Sequence, residues 1–290
     1  MKRSVIIIFI VLISIALHAQ DQKEKQDSLV SVETACYLPQ KGDVGFGIDA
    51  VQIFNFVGNM FSQAGTNTMN FYLPANSQTF YFKYIKDPKT YYRVKLRAGH
   101  STINNKEYIM QTGQTDPGVN VEDSYRQIQS NFELYAGIEK RKGINRLQGF
   151  YGLECGFVLM KQKEVYNYGN AVSQNDPVPF ITTNFGDNID FSTNPDGYTM
   201  RLLEHDHGNG TGLNLGLIFG AEYFFAKKIS VAGEFGWYIF YNITGKGYTE
   251  YEYWHGTDNY LGYYKTKTLG GTAFVFDNTP SGMLTLNVYF

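Results

Sequence analysis

The ten residues from Thr90 to Gly99 restrict the fold of this chain more than any other stretch. Their side chains alternate between apolar and polar, which is the period-two pattern of a β-strand. Arg93, Lys95 and Arg97 follow one another on the polar face. A soluble sheet packed on an apolar core has no place for three consecutive inward cations, whereas the polar interior of a transmembrane barrel does. This stretch therefore predicts a barrel strand with an apolar outer face.

The last eight residues, 283–290, alternate in the same way. One face carries Leu284, Leu286, Val288 and Phe290, and the other carries Thr285, Asn287 and Tyr289. Because a free apolar edge strand promotes aggregation, we expect this strand to pair with the first one in a closed barrel. A strand that ends in Phe also resembles the C-terminal signal of Gram-negative outer-membrane barrels, carried here by Leu286, Val288 and Phe290.

The first residues have the form of a secretory signal peptide. A basic start at Lys2 and Arg3 is followed by an apolar run from Val5 to Leu17. That run is too short to cross a membrane, which takes about 20 residues. We therefore expect a cleaved signal over residues 1–20, a short periplasmic tail over 21–41, and a transmembrane barrel over 42–290.

Composition favours an exported barrel over a soluble domain. The chain contains 23 Tyr, 22 Phe and 30 Gly, and only 18% of its residues are charged. Aromatic girdles and a polar interior are typical of transmembrane barrels. The net charge of −2 does not favour a nucleic-acid partner. Cys36 and Cys155 are far apart in sequence, and Cys155 falls on a lipid-facing position, so two unpaired thiols are expected.

The alternation predicts eight strands, with tight and long connections in strict succession. The strands are expected at about 43–50, 79–86, 90–99, 129–139, 146–160, 212–225, 229–240 and 283–290. Tight turns fall at 87–89, 140–145 and 226–228, and long loops at about 51–78, 100–128, 161–211 and 241–282. Outer-membrane barrels have even strand counts, short periplasmic turns and long outer loops. Ten strands are the alternative, because residues 247–276 could form another hairpin, although the mixed polarity of 247–255 favours extensions of strands seven and eight.

In architecture and terminal signal, the mature chain resembles the eight-stranded OmpA/OmpX-like outer-membrane barrel family of Gram-negative bacteria. The resemblance implies an all-β, closed, antiparallel up-and-down transmembrane barrel in the outer membrane. It also implies contact with outer-membrane lipid, and with the barrel-insertion machinery through the C-terminal strand. It transfers no activity.

The inward faces of the predicted strands carry a set of charges that must be paired, because a lone buried ion is costly. The expected network comprises Arg93, Lys95, Arg97, Glu133, Glu154, Glu222 and Glu234. Arg93 and Lys95 are expected to reach Glu133 on the neighbouring strand. With Lys83, Asp43, Asp49 and Glu139 also inward, carboxylates are in excess. Side chains normally fill an eight-stranded interior, so a plug is expected; the alternative is a narrow pore, for which inward glycines leave room.

Candidate chemistry is sparse. Glu204, His205, Asp206 and His207 form the densest cluster of potential ligands. His205 and His207 can share a strand face and are the candidate metal pair, but nothing in the sequence completes their ligand set, so no metal or cofactor is expected. A barrel hydrolase, such as a protease or a lipid-A-modifying enzyme, would require His100 to converge with this pair above the rim. Without a nucleophile–base–orienter set, a catalytic site is not predicted.

The predicted long loops make up more than half of the mature chain and are rich in Tyr, Asn, Gly and Asp. Amphipathic Tyr suits contact with protein or glycan partners. The sequence thus indicates a non-enzymatic outer-membrane protein that acts structurally or binds an extracellular partner through its loops. Transport through a narrow pore is the first alternative, and hydrolysis is the second.

Overall fold

The computed structural model describes residues 37–50, 79–177, 191–276 and 281–290, and these form an all-β structure. Its strands are β1 (Val44–Asp49), β2 (Thr79–Asp87), β3 (Thr90–Met110), β4 (Asn120–Ile144), β5 (Leu147–Asn167), β6 (Phe191–Thr193), β7 (Thr199–Ala226), β8 (Ile229–Thr244), β9 (Gly247–His255), β10 (Tyr260–Thr268), β11 (Gly271–Phe276) and β12 (Ser281–Tyr289). In these residues, no helix is long and apolar enough to span a membrane. The predicted signal peptide, residues 21–36 of the predicted tail and the loop 51–78 lie outside the described residues.

Eight of these strands close into an antiparallel ring, as predicted. The order is β1-β2-β3-β4-β5-β7-β8-β12, and β12 pairs back onto β1. Leu286 of the terminal strand lies opposite Ile48 of β1 and Val231 of β8. Since every neighbouring pair in the ring is hydrogen-bonded, no strand edge is left open around it. The strands β9, β10 and β11, which occupy the residues behind the ten-strand alternative, lie outside the ring.

One end of the ring carries the tight turns. The hairpins β4–β5 and β7–β8 turn at Asn145 (φ 55°) and Lys228 (φ 56°), the left-handed conformation that short hairpins require. The described residues before β1 reach the same end, where the amide of Gly42 donates to the carbonyl of Ile85 at 2.8 Å and that of Lys228 donates to Tyr37 at 2.9 Å. The residues before β1 and those at the end of β12 therefore lie together at the end of the ring with the short connections.

The prediction that residues 100–128, 161–211 and 241–282 are loops is wrong for most of their described length. The strands β3 and β4 remain paired as far as Met110 and Asn120, and β5 pairs with β7 as far as Val165 and Glu204. Both faces of these segments are largely polar, so they lack the alternation that revealed the ring strands. Backbone pairing does not require that alternation, and the ladders simply continue.

The continued strands form an open sheet that rises from the opposite end of the ring. We call it the upper sheet; it comprises residues 100–110, 120–130, 161–167 and 199–209, with β9 and β10, in the order β10-β9-β7-β5-β4-β3. Beside it, β11 pairs with β8 over Ile239–Thr244. The pairing of β8 with β12 stops below this segment, at Gly236 and Ser281. A membrane-spanning strand takes about 9–11 residues, whereas β7 has 28. An extension of about ten residues continues roughly 33 Å along the strand beyond the ring.

Candidate functional site

The outer surface of the ring is a continuous apolar band, which we call the apolar belt. Its exposed members include Val44, Phe46, Phe80, Phe82, Tyr84, Tyr92, Val94, Phe132, Leu134, Tyr151, Leu153, Phe157, Leu159, Leu213, Leu215, Leu217, Tyr223, Phe225, Phe235 and Trp237. Cys155 is exposed within it as a free thiol, as predicted, and Cys36 lies outside the described residues.

The upper edge of the apolar belt is sharp. His100, Ser130, Lys161 and Asn209 lie side by side across four neighbouring strands, one outward position above Ala98, Phe132, Leu159 and Thr211. Aligned residues on adjacent strands form one row that runs across the ladders. Because the outward residues of β3, β4 and β5 change there from apolar to polar, this row marks the point at which the belt ends on these strands.

Inside the ring, the layer nearest the tight turns is organised around Glu222, which is fully buried. Its carboxylate lies 2.5 Å from Nη2 of Arg141 and 3.6 Å from Nζ of Lys83. It also accepts hydrogen bonds from Ser230 and, at 2.7 Å, from the hydroxyl of Tyr289. The same two cations reach Glu139, at 2.5 Å and 3.4 Å. Two carboxylates and two cations thus neutralise one another in this layer.

The next layer is organised around Arg93, which is 2% exposed. Its Nη1 and Nη2 atoms donate to the two carboxylate oxygens of Glu234 at 2.6 and 3.0 Å, the bidentate geometry that suits a guanidinium. Its Nε lies 3.2 Å from Glu154, which also binds Nζ of Lys95 at 2.6 Å. The hydroxyl of Tyr238 donates to Glu154 at 2.7 Å. This layer crosses the barrel from β3 to β5 and β8.

Two details of the predicted network are wrong. Glu133 lies opposite Arg97 in the ladder and pairs with it at 3.4 Å, near the rim, while Arg93 and Lys95 lie below its reach. Arg141, which was assigned to a turn, continues β4 and points into the barrel beside Glu139. The predicted excess of carboxylates therefore disappears from the buried layers of the described ring. These hold Lys83, Arg93, Lys95 and Arg141 against Glu139, Glu154, Glu222 and Glu234.

Tyrosine rings cover several of the inward glycines that seemed to leave room for a pore. A Cβ on Gly156 would lie 2.2 Å from the ring of Tyr135, and one on Gly216 would lie 2.4 Å from the ring of Tyr238. These two rings pack edge to face at 6.1 Å, and Nζ of Lys95 lies 3.9 Å from the centroid of Tyr135. The glycines are needed so that the rings can lie flat on the wall, and the rings fill the space.

The upper sheet has a small core of its own. Tyr125, Tyr166 and Leu202 pack together, with Tyr168 and Tyr251 against them. Buried Arg201 links this core to β9: it lies 4.0 Å from the ring centroid of Tyr168, donates to the carbonyl of Asn170 at 2.9 Å and pairs with Glu252 at 2.5 Å. The upper sheet is therefore a packed unit.

A cleft of about 390 Å³ opens where the upper sheet leaves the ring, and both His100 and His207 line it. The ring of His100 is engaged in hydrogen bonds, with Ser130 at 2.8 Å and Thr102 at 3.3 Å. By alternation, His100 belongs to the same face as Ala98, which is the outer face of the ladder. Of the predicted pair, His207 also lines this cleft, but both His205 and His207 belong to the inner face, beside Glu164.

Glu164, His205 and His207 come together because of a β-bulge. His205 lies opposite Glu164, but the ladder between β5 and β7 shifts by one residue between Lys161 and Lys163. The extra residue falls at His207–Gly208, and Gly208 has the positive φ of 79° that such bulges favour. Continued without the shift, the ladder would set Glu164 opposite Asp206 and turn both histidines away. Sequence alternation alone could not reveal this, so Glu164 was missed.

The geometry of this trio is that of potential ligands. One nitrogen of each histidine and a carboxylate oxygen of Glu164 all lie within 4.8 Å of one another, and the two imidazoles stack with centroids 4.0 Å apart. Partial burial, and next the charge of His207, hold the pKa of His205 below its ordinary value. Neutral imidazole is the form that binds metals.

Comparisons with known proteins add no activity to this picture. No protein-family model and no curated protein matches the chain. Any function must therefore be argued from the barrel, the upper sheet and the cleft between them.

Proposed function

We propose that this chain is a non-enzymatic outer-membrane protein whose ring spans the membrane without forming a pore and whose upper sheet binds an extracellular protein or glycan. The observation that carries the proposal is the inverted distribution of polarity in the ring. Charged side chains are buried inside, whereas Phe, Leu and Tyr side chains are exposed on the apolar belt. Hydrocarbon stabilises such a surface, and a spanning sheet must close on itself because lipid offers no hydrogen-bond partner.

The height of the apolar belt supports a spanning ring. Along β5 the outward apolar positions run from Tyr151 to Leu159 and stop at Lys161. This is close to the 9–11 residues of a tilted membrane strand. Aromatic residues lie near the end with the tight turns, where Tyr84 and Tyr92 stack at 6.5 Å, as in the girdles of outer-membrane barrels.

The orientation follows from the asymmetry of the two ends. In outer-membrane barrels the termini and the short turns face the periplasm. On this basis the upper sheet faces the outside of the cell. The signal peptide over residues 1–20 would export the chain, and the terminal strand with Leu286, Val288 and Phe290 would engage the barrel-insertion machinery.

The composition of the upper sheet and its neighbouring strands supports a binding role. Tyr108, Tyr260 and Tyr263 are exposed there, on strands that pair with β4 and β9 of the packed core, and Phe274 is exposed on β11 beside the sheet. Rigid tyrosines provide contact area with little loss of side-chain entropy on binding, which suits protein and glycan surfaces. The partner would therefore meet a preformed surface.

Planar-bilayer conductance of the refolded mature chain tests the absence of a pore. We expect no steady current, because the layers around Glu222 and Arg93 and the rings of Tyr135 and Tyr238 fill the interior. Heat-modifiable gel migration of the same sample is the control for folding. A stable ohmic current from the folded chain would contradict the plugged interior and make transport the leading function.

A further inference from the structure

A three-ligand site lies just above the apolar belt, on the inner face of the upper sheet. Nε2 of His207 lies 3.7 Å from a carboxylate oxygen of Glu164, and the ring of His205 stacks on that of His207. The site begins three residues beyond Lys161, which marks the belt edge on β5. At about 3.3 Å per residue, it lies roughly 10 Å further along β5 than the edge of the belt.

The spacing of the ligand atoms suits a small divalent ion. Bonds of about 2.0–2.2 Å to zinc place tetrahedral ligand atoms about 3.3–3.6 Å apart. The separation of 3.7 Å between Glu164 and His207 is already close to this, and the limit of 4.8 Å for the whole trio requires only a small side-chain rotation. Two imidazoles and one carboxylate are also a known ligand set of zinc.

We propose that Glu164, His205 and His207 bind a divalent transition-metal ion, with Zn²⁺ as the ion that fits best. The third ligand, Glu164, lies 41 positions before His205 in the chain and completes the histidine pair that the sequence indicated. This assignment goes beyond the proposed function and does not depend on it, because the site is defined by the upper sheet alone.

The surroundings of Glu164 support its role as a ligand. The side-chain amide of Gln162 donates to it at 3.4 Å, and the hydroxyl of Tyr166 also bonds to it. Such outer contacts orient a ligating carboxylate. Among the described residues, no lysine or arginine lies within ion-pair distance of Glu164, since Lys163 pairs with Glu204 at 2.7 Å. Within the described part of the chain, this carboxylate is therefore not neutralised by a lysine or arginine.

The fourth coordination position would be open. Three protein ligands leave a tetrahedral ion with one site for water or another small ligand. His207 lines the cleft of about 390 Å³, so this position is reached from the aqueous side. The arrangement is that of an accessible ion, in contrast to a closed structural site with four protein ligands.

Zn²⁺ titration of the refolded, tag-free mature chain in detergent, followed by calorimetry, tests the site. We expect one saturable equivalent of Zn²⁺ per chain. Glu164→Gln, His205→Gln and His207→Gln should each weaken binding at least about tenfold, since even the loss of a group behind the ligands costs 10–100-fold. Co²⁺ in place of Zn²⁺ should give the visible absorption of a tetrahedral ion, which the three variants lose.

His100→Gln is the matched control, because His100 lines the same cleft but lies outside the trio. It should bind Zn²⁺ as the unaltered chain does. Heat-modifiable migration must be equal in all variants, so that weaker binding reports the site. No saturable binding to the unaltered chain would overturn the proposal, as would unaltered affinity in the Glu164→Gln or either histidine variant. Such results would leave the absence of a pore and the binding role of the upper sheet untouched.

Discussion

Glu222→Ala should lower the free energy of unfolding by about 3–5 kcal/mol, because removing one partner of a buried ion pair leaves the other charge uncompensated. Glu222 is fully buried and shares Lys83 and Arg141 with Glu139. After the substitution, the buried layers of the described ring would hold one more cation than carboxylates. Urea unfolding of the chain refolded into lipid vesicles measures the change.

Glu133→Ala provides the matched control for this prediction. Glu133 also pairs with one arginine of the ring, Arg97, but their side chains are 19% and 34% exposed. Water at the rim can solvate the remaining charge, so the loss should stay below about 1 kcal/mol. Equal destabilisation of the two variants would show that Glu222 is no better shielded from water than Glu133. That result would contradict a plugged interior.

Arg201→Ala should loosen the upper sheet while leaving the ring folded. Arg201 is 3% exposed; it pairs with Glu252, donates to the carbonyl of Asn170 and packs on the ring of Tyr168. Breaking a buried pair of this kind costs about 3–5 kcal/mol, and parts of a protein can open independently of the whole. Amide hydrogen exchange in β9 and β10 should therefore become at least about 100-fold faster, since each tenfold corresponds to about 1.4 kcal/mol. Exchange in β12 should not change.

Lys106→Ala is the control in the same sheet. Lys106 pairs with Glu122 at 2.7 Å, but both side chains are exposed, so its removal should change exchange little. Faster exchange in β12 of the Arg201→Ala chain would show that the sheet and the ring unfold as one unit. Unchanged exchange in β9 would show that Arg201 does not hold the sheet.

The ring could be predicted from sequence because the environment differs on its two sides. Along Thr90–Gly99 outward and interior positions alternate, so the register of neighbouring strands follows once the turns are known. Arg141 was not predicted as an inward residue because it lies between Lys140 and Lys142, in a run that resembles a solvated turn. Alternation could have placed it inside the ring, however, because residues 139 and 141 share one face of the strand and Glu139 points inward.

The upper sheet could not be predicted in the same way. Beyond the row from His100 to Asn209, both faces of the ladders carry mostly polar residues, and hydrophobicity no longer indicates which residues are paired. The site with Glu164 adds a second obstacle. A single-residue bulge at Gly208 decides whether Glu164 lies opposite His205 or Asp206. The one sign of this bulge in the sequence is the glycine itself.

The accessibility of a nitroxide on Cys155 tests most directly whether the apolar belt lies in lipid. Cys155 is exposed, between Ala136 and Leu215 in the ladders. In the Cys36→Ser chain refolded into vesicles, the label should collide readily with oxygen, which dissolves in hydrocarbon, and rarely with a water-soluble nickel complex. A label on His100→Cys, in a chain without the other thiols, should show the opposite preference. Equal access of the nickel complex to both labels would contradict a membrane-spanning ring.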